Sequence, residues 1–216
     1  MHVRRGRAPT VPADQGVTEA VVSYAQRERE PALRVWTPHR QVAFGRRDRH
    51  SEGYDRACEA AEARGFESTT RDVGGRAVAF SGTTLAVVHA VPVDDPRSGL
   101  QTRYEAAVER LARALETVGV SAVEGEPPDS FCPGTHSLRA GGGKVVGVAQ
   151  RVRADVAVVA GVVVVADRDA VADVLAAVYD LLGVPFDPAS VGSVAAAGGP
   201  ADPEIVGDAV ERVFRD

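Results

Sequence analysis

Two residues carry the chemistry this chain can be read to perform. Cys132 lies in the loop Ser130-Phe131-Cys132-Pro133-Gly134-Thr135-His136, where a proline and a glycine fix the backbone and keep the neighbourhood open. A nucleophilic cysteine needs that exposure, and it needs a nearby cation to favour its thiolate. Twelve residues on, Lys144 opens the apolar run Lys144-Val145-Val146-Gly147-Val148-Ala149-Gln150. It is the one lysine among 25 cationic residues, which suggests a position where Arg does not serve, the alternative being chance retention in an Arg-rich chain. A loop joining two neighbouring strands can bring the two side chains together. The alternative is a loop cysteine without consequence. His136 is a second candidate base, although surface hydrogen bonding explains it as well.

A second constellation is Arg71-Asp72-Val73-Gly74-Gly75-Arg76-Ala77-Val78. Adjacent glycines after a strand let the backbone approach a ligand and offer N–H groups to an anion or a carbonyl. An ordinary hairpin turn has the same composition. His39, His50 and His89 are scattered without ligand spacing, so the sequence supports no metal site. Cys58 falls on the apolar stripe of a helix and reads as an inert core thiol.

The elements that must position these residues follow from periodicity. A lead-in of residues 1–14, with Pro9 and Pro12, is expected to be flexible, and a helix should run from about Gln15 to Arg29. Leu33 to Trp36 and Val42 to Gly45 read as a hairpin turning at Pro38, and Ser51 as the N-cap of a helix closed by Gly65. Thr69 to Arg71, Ala77 to Phe80 and Leu85 to Val91 read as a three-stranded meander. Leu100, Tyr104, Ala107, Leu111, Leu115 and Val118 define the apolar face of a long amphipathic helix. Val156 to Val165 is a buried strand, and a helix with Val171, Val174, Leu175, Val178 and Leu182 inward follows it. A last helix begins at Asp202-Pro203 with Ile205, Val206, Ala209 and Val213 as its stripe. Strands in clusters, with helices between clusters, predict an α+β fold with a mixed or antiparallel sheet flanked by helices. The domain is expected to span 15–182, with 183–216 packing on it as a loop and short helix.

Composition narrows the function classes. With 216 residues and 44% hydrophobic content the chain fits one domain. A formal charge of -5, with no basic stretch interleaved with aromatics, argues against nucleic acid. The apolar run from Val156 to Ala166 is about half of the roughly 20 residues that cross a bilayer, and Pro9 and Pro12 interrupt any signal-type apolar segment. A cytoplasmic protein without membrane partners is expected, its two cysteines reduced.

Taken in order, Leu33-Arg34-Val35-Trp36 with Val42-Ala43-Phe44-Gly45-Arg46, then Arg71 to Val78, then Gly143-Lys144-Val145-Val146-Gly147-Val148-Ala149-Gln150-Arg151 resemble the biotin/lipoate protein ligase superfamily over about 120 residues. The resemblance implies a tunnel for an octanoyl or lipoyl chain beside the diglycine turn. Arg71, Gly74, Gly75, Arg76, Ala77, Gly147 and Ala149 would bind substrate, and Lys144 would touch the acyl carbonyl. Phe131-Cys132-Pro133-Gly134 followed by Gly-Lys is most similar to the octanoyl-[glycine-cleavage H protein] amidotransferases, in which this cysteine carries a thioester. That implies an acyltransferase acting on lipoyl carrier domains, either the glycine-cleavage H protein or 2-oxoacid dehydrogenase acyltransferase subunits, with no cofactor. The alternatives are an ATP-dependent lipoate ligase, using ATP and Mg, and a non-catalytic lipoyl-domain-binding protein. The chain departs from the superfamily pattern at Thr70, Val73 and Arg76, and it has Val159-Ala160-Gly161 where ligases carry a histidine pair.

Overall fold

The structure, a computed structural model, describes all residues 1–216. In chain order the elements are β1 (His2–Arg4), α1 (Val11–Glu28), β2 (Ala32–Trp36), β3 (Gln41–Phe44), α2 (Tyr54–Glu62), β4 (Glu67–Thr70), β5 (Val78–Phe80) and β6 (Thr84–Pro92). They continue with α3 (Leu100–Thr117), β7 (Val123–Glu124), β8 (Ser137–Ala140), β9 (Gly143–Arg153), β10 (Val156–Val164), α4 (Arg168–Leu181) and α5 (Pro203–Arg215). Seven strands form one sheet in the order β1-β2-β6-β10-β9-β8-β7, and three form another in the order β4-β3-β5. Every pair in the large sheet is antiparallel except β1 with β2. The α+β expectation with a mixed sheet flanked by helices holds.

The central strands are buried on both faces, which their valine-rich sequences anticipate. Along β6, Leu85 and Val87 pack with Leu111, Leu115, Val206 and Val210 of α3 and α5. Val88 and Ala90, on the opposite face, pack with Val21, Val22 and Ala25 of α1. A third cluster joins the small sheet to α2 and α4 through Phe44, Ala57, Ala61, Phe80, Val174, Leu175 and Tyr179. No helix is long and apolar enough to cross a membrane.

Several local expectations are corrected. The lead-in of residues 1–14 is ordered: His2 to Arg4 pair with Ala32 to Arg34, and Thr10 caps α1 by accepting from the Ala13 amide, with Pro12 inside the first turn. Fully buried Arg34 fastens this segment, donating to the Asp14 carboxylate and to the Gly6 carbonyl. The strands β2 and β3 form no hairpin, because β2 joins the large sheet and β3 the small one. The expected meander is likewise absent: β4 and β5 flank β3, and β6 belongs to the other sheet. Short strands show their inward faces in sequence but not their partners. Gly53, not Ser51, caps α2. Leu100 and Ile205, assigned to apolar stripes, are exposed at their helix starts. Residues 183–216 pack on the same body, with the Gly192 amide donating to the Lys144 carbonyl.

Candidate active site

Cys132 sits where the small sheet, the β7–β8 loop and the start of β9 converge. Its backbone is left-handed, φ 43°, a conformation that costs a non-glycine residue energy and persists only where its surroundings enforce it. Those surroundings are identifiable. The Cys132 amide donates to the Tyr179 hydroxyl at 2.6 Å, and that hydroxyl donates in turn to the Ala77 carbonyl at 3.0 Å. On the other side Lys144 Nζ donates to the carbonyls of Phe131 at 2.9 Å and Cys132 at 3.1 Å, and to Glu126 Oε2 at 2.8 Å. An ammonium has three N–H donors, and all three are used.

Sulfur is met by a different cation. Arg71 Nη2 donates to Cys132 Sγ at 2.9 Å and to the Arg76 carbonyl at 2.6 Å. Burial opposes ionisation of the thiol, but the Arg71 charge, the amides of Arg76 and Gly75 and the Lys144 charge together hold it below the ordinary thiol value. Cys132 nevertheless keeps part of its surface accessible. The opening of the diglycine turn is thus a cradle of N–H groups and one guanidinium facing a sulfur, the arrangement that stabilises a thiolate.

The two glycines do different work. Gly74 adopts φ 99°, and a Cβ there would lie 2.6 Å from the Arg71 guanidinium carbon, so Gly74 makes the space in which Arg71 reaches the sulfur. Gly75 has no such constraint, its nearest neighbour being the Arg47 side chain at 3.6 Å. The constraint falls instead on Gly45, where a Cβ would lie 2.3 Å from the Gly75 carbonyl carbon. Buried Asp48 accepts from the Gly45 amide and from Arg76 Nη1, tying both ends of the turn; burial raises its pKa against these partners.

Beside Arg71 a cavity of about 350 Å³ runs between α1 and the small sheet, walled by Ala43, Phe80, Ala86 and Val162 and reaching Trp36 and Gln41. Among the expected substrate residues Arg71 lines it, whereas Gly74, Gly75, Arg76, Ala77, Gly147 and Ala149 do not. Arg76, expected to bind substrate, is paired with Asp48 outside the cavity lining. Ala77 is fully buried and offers its carbonyl to Tyr179. Gly147 leaves room for Lys144, whose Cε would lie 3.4 Å from an added Cβ, and half-buried Ala149 pairs with Ala160. His136 stacks on Tyr104 at 4.2 Å with Nδ1 3.3 Å from Glu124, a surface role. Sequence reasoning missed Tyr179, Glu126 and Asp48. Tyr179 carried one signal: a polar-tipped aromatic on the buried stripe of α4 needs a partner for its hydroxyl.

Residues 15–214 match the family model for the lipoyl protein ligase A/B catalytic domain. Among curated proteins the chain is 34% identical over 132 residues to an octanoyl-[GcvH]:protein N-octanoyltransferase of Exiguobacterium sibiricum, covering 59% of this chain and 46% of that protein. It is 30% identical over 130 residues to the protein of the same description in Geobacillus kaustophilus, covering 60% and 46%. The chain thus spans about half the length of the curated relatives it matches. Among solved structures, lipoate-protein ligase A bound with ATP superposes with a TM-score of 0.74 at 20% identity, covering 99% of this chain and 84% of that one.

Proposed function

The chain belongs to the family of lipoyl protein ligase A/B catalytic domains, and on that premise we propose that it is a cysteine-dependent acyltransferase moving an octanoyl or lipoyl group onto, or between, lysines of lipoyl carrier domains. The observation that carries this reading is the Arg71 contact to Cys132 Sγ, made beside an apolar cavity large enough for a small ligand. An incidental cysteine does not require a left-handed backbone held by Tyr179 and Lys144, nor a guanidinium on its sulfur.

In this reaction the Cys132 thiolate attacks the carbonyl carbon of an acyl-lysine amide. A C–S bond forms, and the carbonyl electron pair moves to oxygen. Collapse of this intermediate breaks the C–N bond as the nitrogen takes up a proton from solvent, so that the donor lysine leaves as a neutral amine; the matching proton returns to solvent when the acceptor amine forms the new amide. The ε-amine of a second carrier then attacks the thioester, forming a new amide and returning the thiolate. Amide is exchanged for amide, so no ATP is consumed and no metal is needed. With all three Nζ donors engaged, Lys144 fixes the loop and adds positive potential at the sulfur; Arg71 and the amides of Gly75 and Arg76 are the groups nearest the reacting atoms. The glycine-cleavage H protein and the 2-oxoacid dehydrogenase acyltransferase subunits are the proposed carriers.

The test is to incubate the protein with an octanoylated or lipoylated carrier, withholding ATP and acceptor. A hydroxylamine-labile adduct on Cys132, seen by mass spectrometry, is expected, since thioesters are cleaved and lysine amides resist. Acyl transfer that requires ATP and Mg and proceeds without Cys132 would replace this reading with the ligase alternative.

A further inference from the structure

Arg46, Arg47 and Arg49 crowd three like charges onto one exposed loop of a chain whose formal charge is -5. The loop is held rigidly. A single 3-10 turn, Asp48–His50, shapes it, and Asp48 lies fully buried between the arginines. There it accepts from the Gly45 amide at 2.9 Å and from Arg76 Nη1 at 3.2 Å. Burial opposes the charge of that carboxylate, so the turn is kept against a desolvation penalty. The result leaves the three guanidiniums without counter-charge. Asp48 faces inward to Arg76, and Glu52 and Asp55, exposed further along the chain, pair with none of them.

The same turn fixes where these charges stand. The Arg47 amide donates to the Gly75 carbonyl at 3.1 Å, and a Cβ on Gly75 would lie 3.6 Å from Arg47 Cδ. The Gly75 amide faces the Cys132 sulfur, so one residue separates the arginine loop from the reactive group. A protein lysine that reaches Cys132 brings its flanking residues against the walls of the site, and this loop is one of them. Lysine is a cation at neutral pH, and the loop arginines, together with Arg71 and Lys144, repel it. Carboxylates beside the lysine reverse the sign of the encounter. They meet unpaired guanidiniums, which steers the right lysine inward and turns away lysines in neutral or basic surroundings. A nucleic acid or an anionic membrane would also be attracted by three arginines. Either would be repelled by the net charge of the chain, and neither brings a lysine to the sulfur.

We propose that Arg46, Arg47 and Arg49 form a docking platform for the carrier domain, contacting carboxylates that flank its target lysine. The inference rests on the acyl-transfer reading for the identity of the partner; it concerns docking, not the chemistry at Cys132. The probe is the unacylated glycine-cleavage H protein, titrated calorimetrically into the full chain. Raising the salt from about 50 to about 300 mM should weaken binding about tenfold. At the lower salt, replacing all three arginines by Gln should weaken it about tenfold and replacing them by Glu about a hundredfold. Unfolding temperature should stay near that of the parent, since all three side chains are exposed. The single change Arg47→Glu should act in the same direction should the triple variants prove unstable. Replacing the carboxylates beside the carrier lysine by Lys should weaken binding to the parent and restore it to the Glu variant. Affinity indifferent to these substitutions, a charge swap that restores nothing, or a parent that does not bind the carrier would overturn the proposal. So would tighter binding of duplex DNA or phosphatidylglycerol vesicles than of the carrier. No acyl donor is present, so the two readings fail separately. A protein that binds the carrier through its arginines yet forms no thioester keeps the platform and loses the transferase reading; a thioester on Cys132 with carrier affinity indifferent to the arginines does the reverse.

Discussion

The two cysteines of this chain share a residue type and a half-buried setting, and their surroundings push them in opposite directions. Cys58 lies on α2 against the core shared by the small sheet and α4. Burial raises its pKa, and hydrogen bonds with Tyr54 and Ser68 only partly offset that. Cys132 is also penalised by burial, but Arg71, two backbone amides and Lys144 outweigh the penalty. What separates a structural thiol from a reactive one here is the supply of positive charge and N–H donors, not exposure. The supply depends on backbone geometry at a distance: Gly74 makes space for Arg71, Gly45 lets the turn approach, and Asp48 holds that turn in place.

The comparison breaks most decisively at the nucleophile. Cys132→Ser should reduce transfer by on the order of 10³-fold or more, as expected when a nucleophile is removed, and abolish the thioester adduct. Retained turnover with an intact adduct elsewhere would show that the two cysteines had been assigned the wrong way round. Next is Lys144→Arg. Lys144 is fully buried, with Gly147 closing on its Cε, so a guanidinium neither fits the slot nor reaches Glu126 and the two carbonyls together. We expect both lost activity and a stability loss of about 2–3 kcal/mol, below the range for a fully buried pair because Glu126 is partly exposed. For a chain of this size that lowers the melting temperature by roughly 4–12 °C. A variant that melts like the parent would remove Lys144 from the clamp.

Arg71→Met sharpens the comparison by making the Cys132 environment resemble that of Cys58. The thiolate should lose its closest cation, so the pH dependence of iodoacetamide alkylation at Cys132 moves upward toward that of an ordinary buried thiol. Transfer should fall on the order of 10²-fold, the scale of losing one preorganised donor. Alkylation profiles that coincide for parent and variant would assign the depressed pKa to the amides and Lys144 alone.

How much of this was legible in the sequence follows from which interactions are local. The amphipathic stripe of α3 over Ala107, Leu111 and Leu115 and the Asp202-Pro203 start of α5 are local patterns, and both formed as read. The run Val156 to Val164 identified a strand buried on both faces, because its apolar residues leave no solvent face. Which strands pair is not local: β2 and β3 read as a hairpin since only four residues separate them, yet each closes a different sheet. Within the site, Cys132, Lys144 and the diglycine turn stood out through loop position, rarity and turn chemistry. The contact between Arg71 and the sulfur spans 61 residues, and that between Tyr179 and Cys132 spans 47. Such pairings depend on the tertiary fold, so spacing placed Lys144 beside the sulfur where the geometry puts Arg71.

The smallest effect belongs to Cys58, and it tests the other half of the comparison. Cys58→Ala should leave transfer unchanged and alter stability near neutral pH by less than about 1–2 kcal/mol, the scale for truncating a small, partly buried side chain. The signs of pH dependence differ between the two thiols. A pKa raised by folding means that Cys58 contributes stability fully below the ordinary thiol value and loses it as pH climbs through the raised one. Cys132, with its pKa lowered, contributes above the ordinary thiol value and loses that as pH falls through the lowered one. Between pH 7 and pH 10 the parent should therefore lose a term that Cys58→Ala lacks, and the gap between their melting temperatures should narrow. Thermal unfolding of both proteins at the two pH values measures this directly. A gap that widens at pH 10 would mean that Cys58 ionises readily in the folded state, and the contrast between a neutral core thiol and a poised thiolate would no longer describe the molecule.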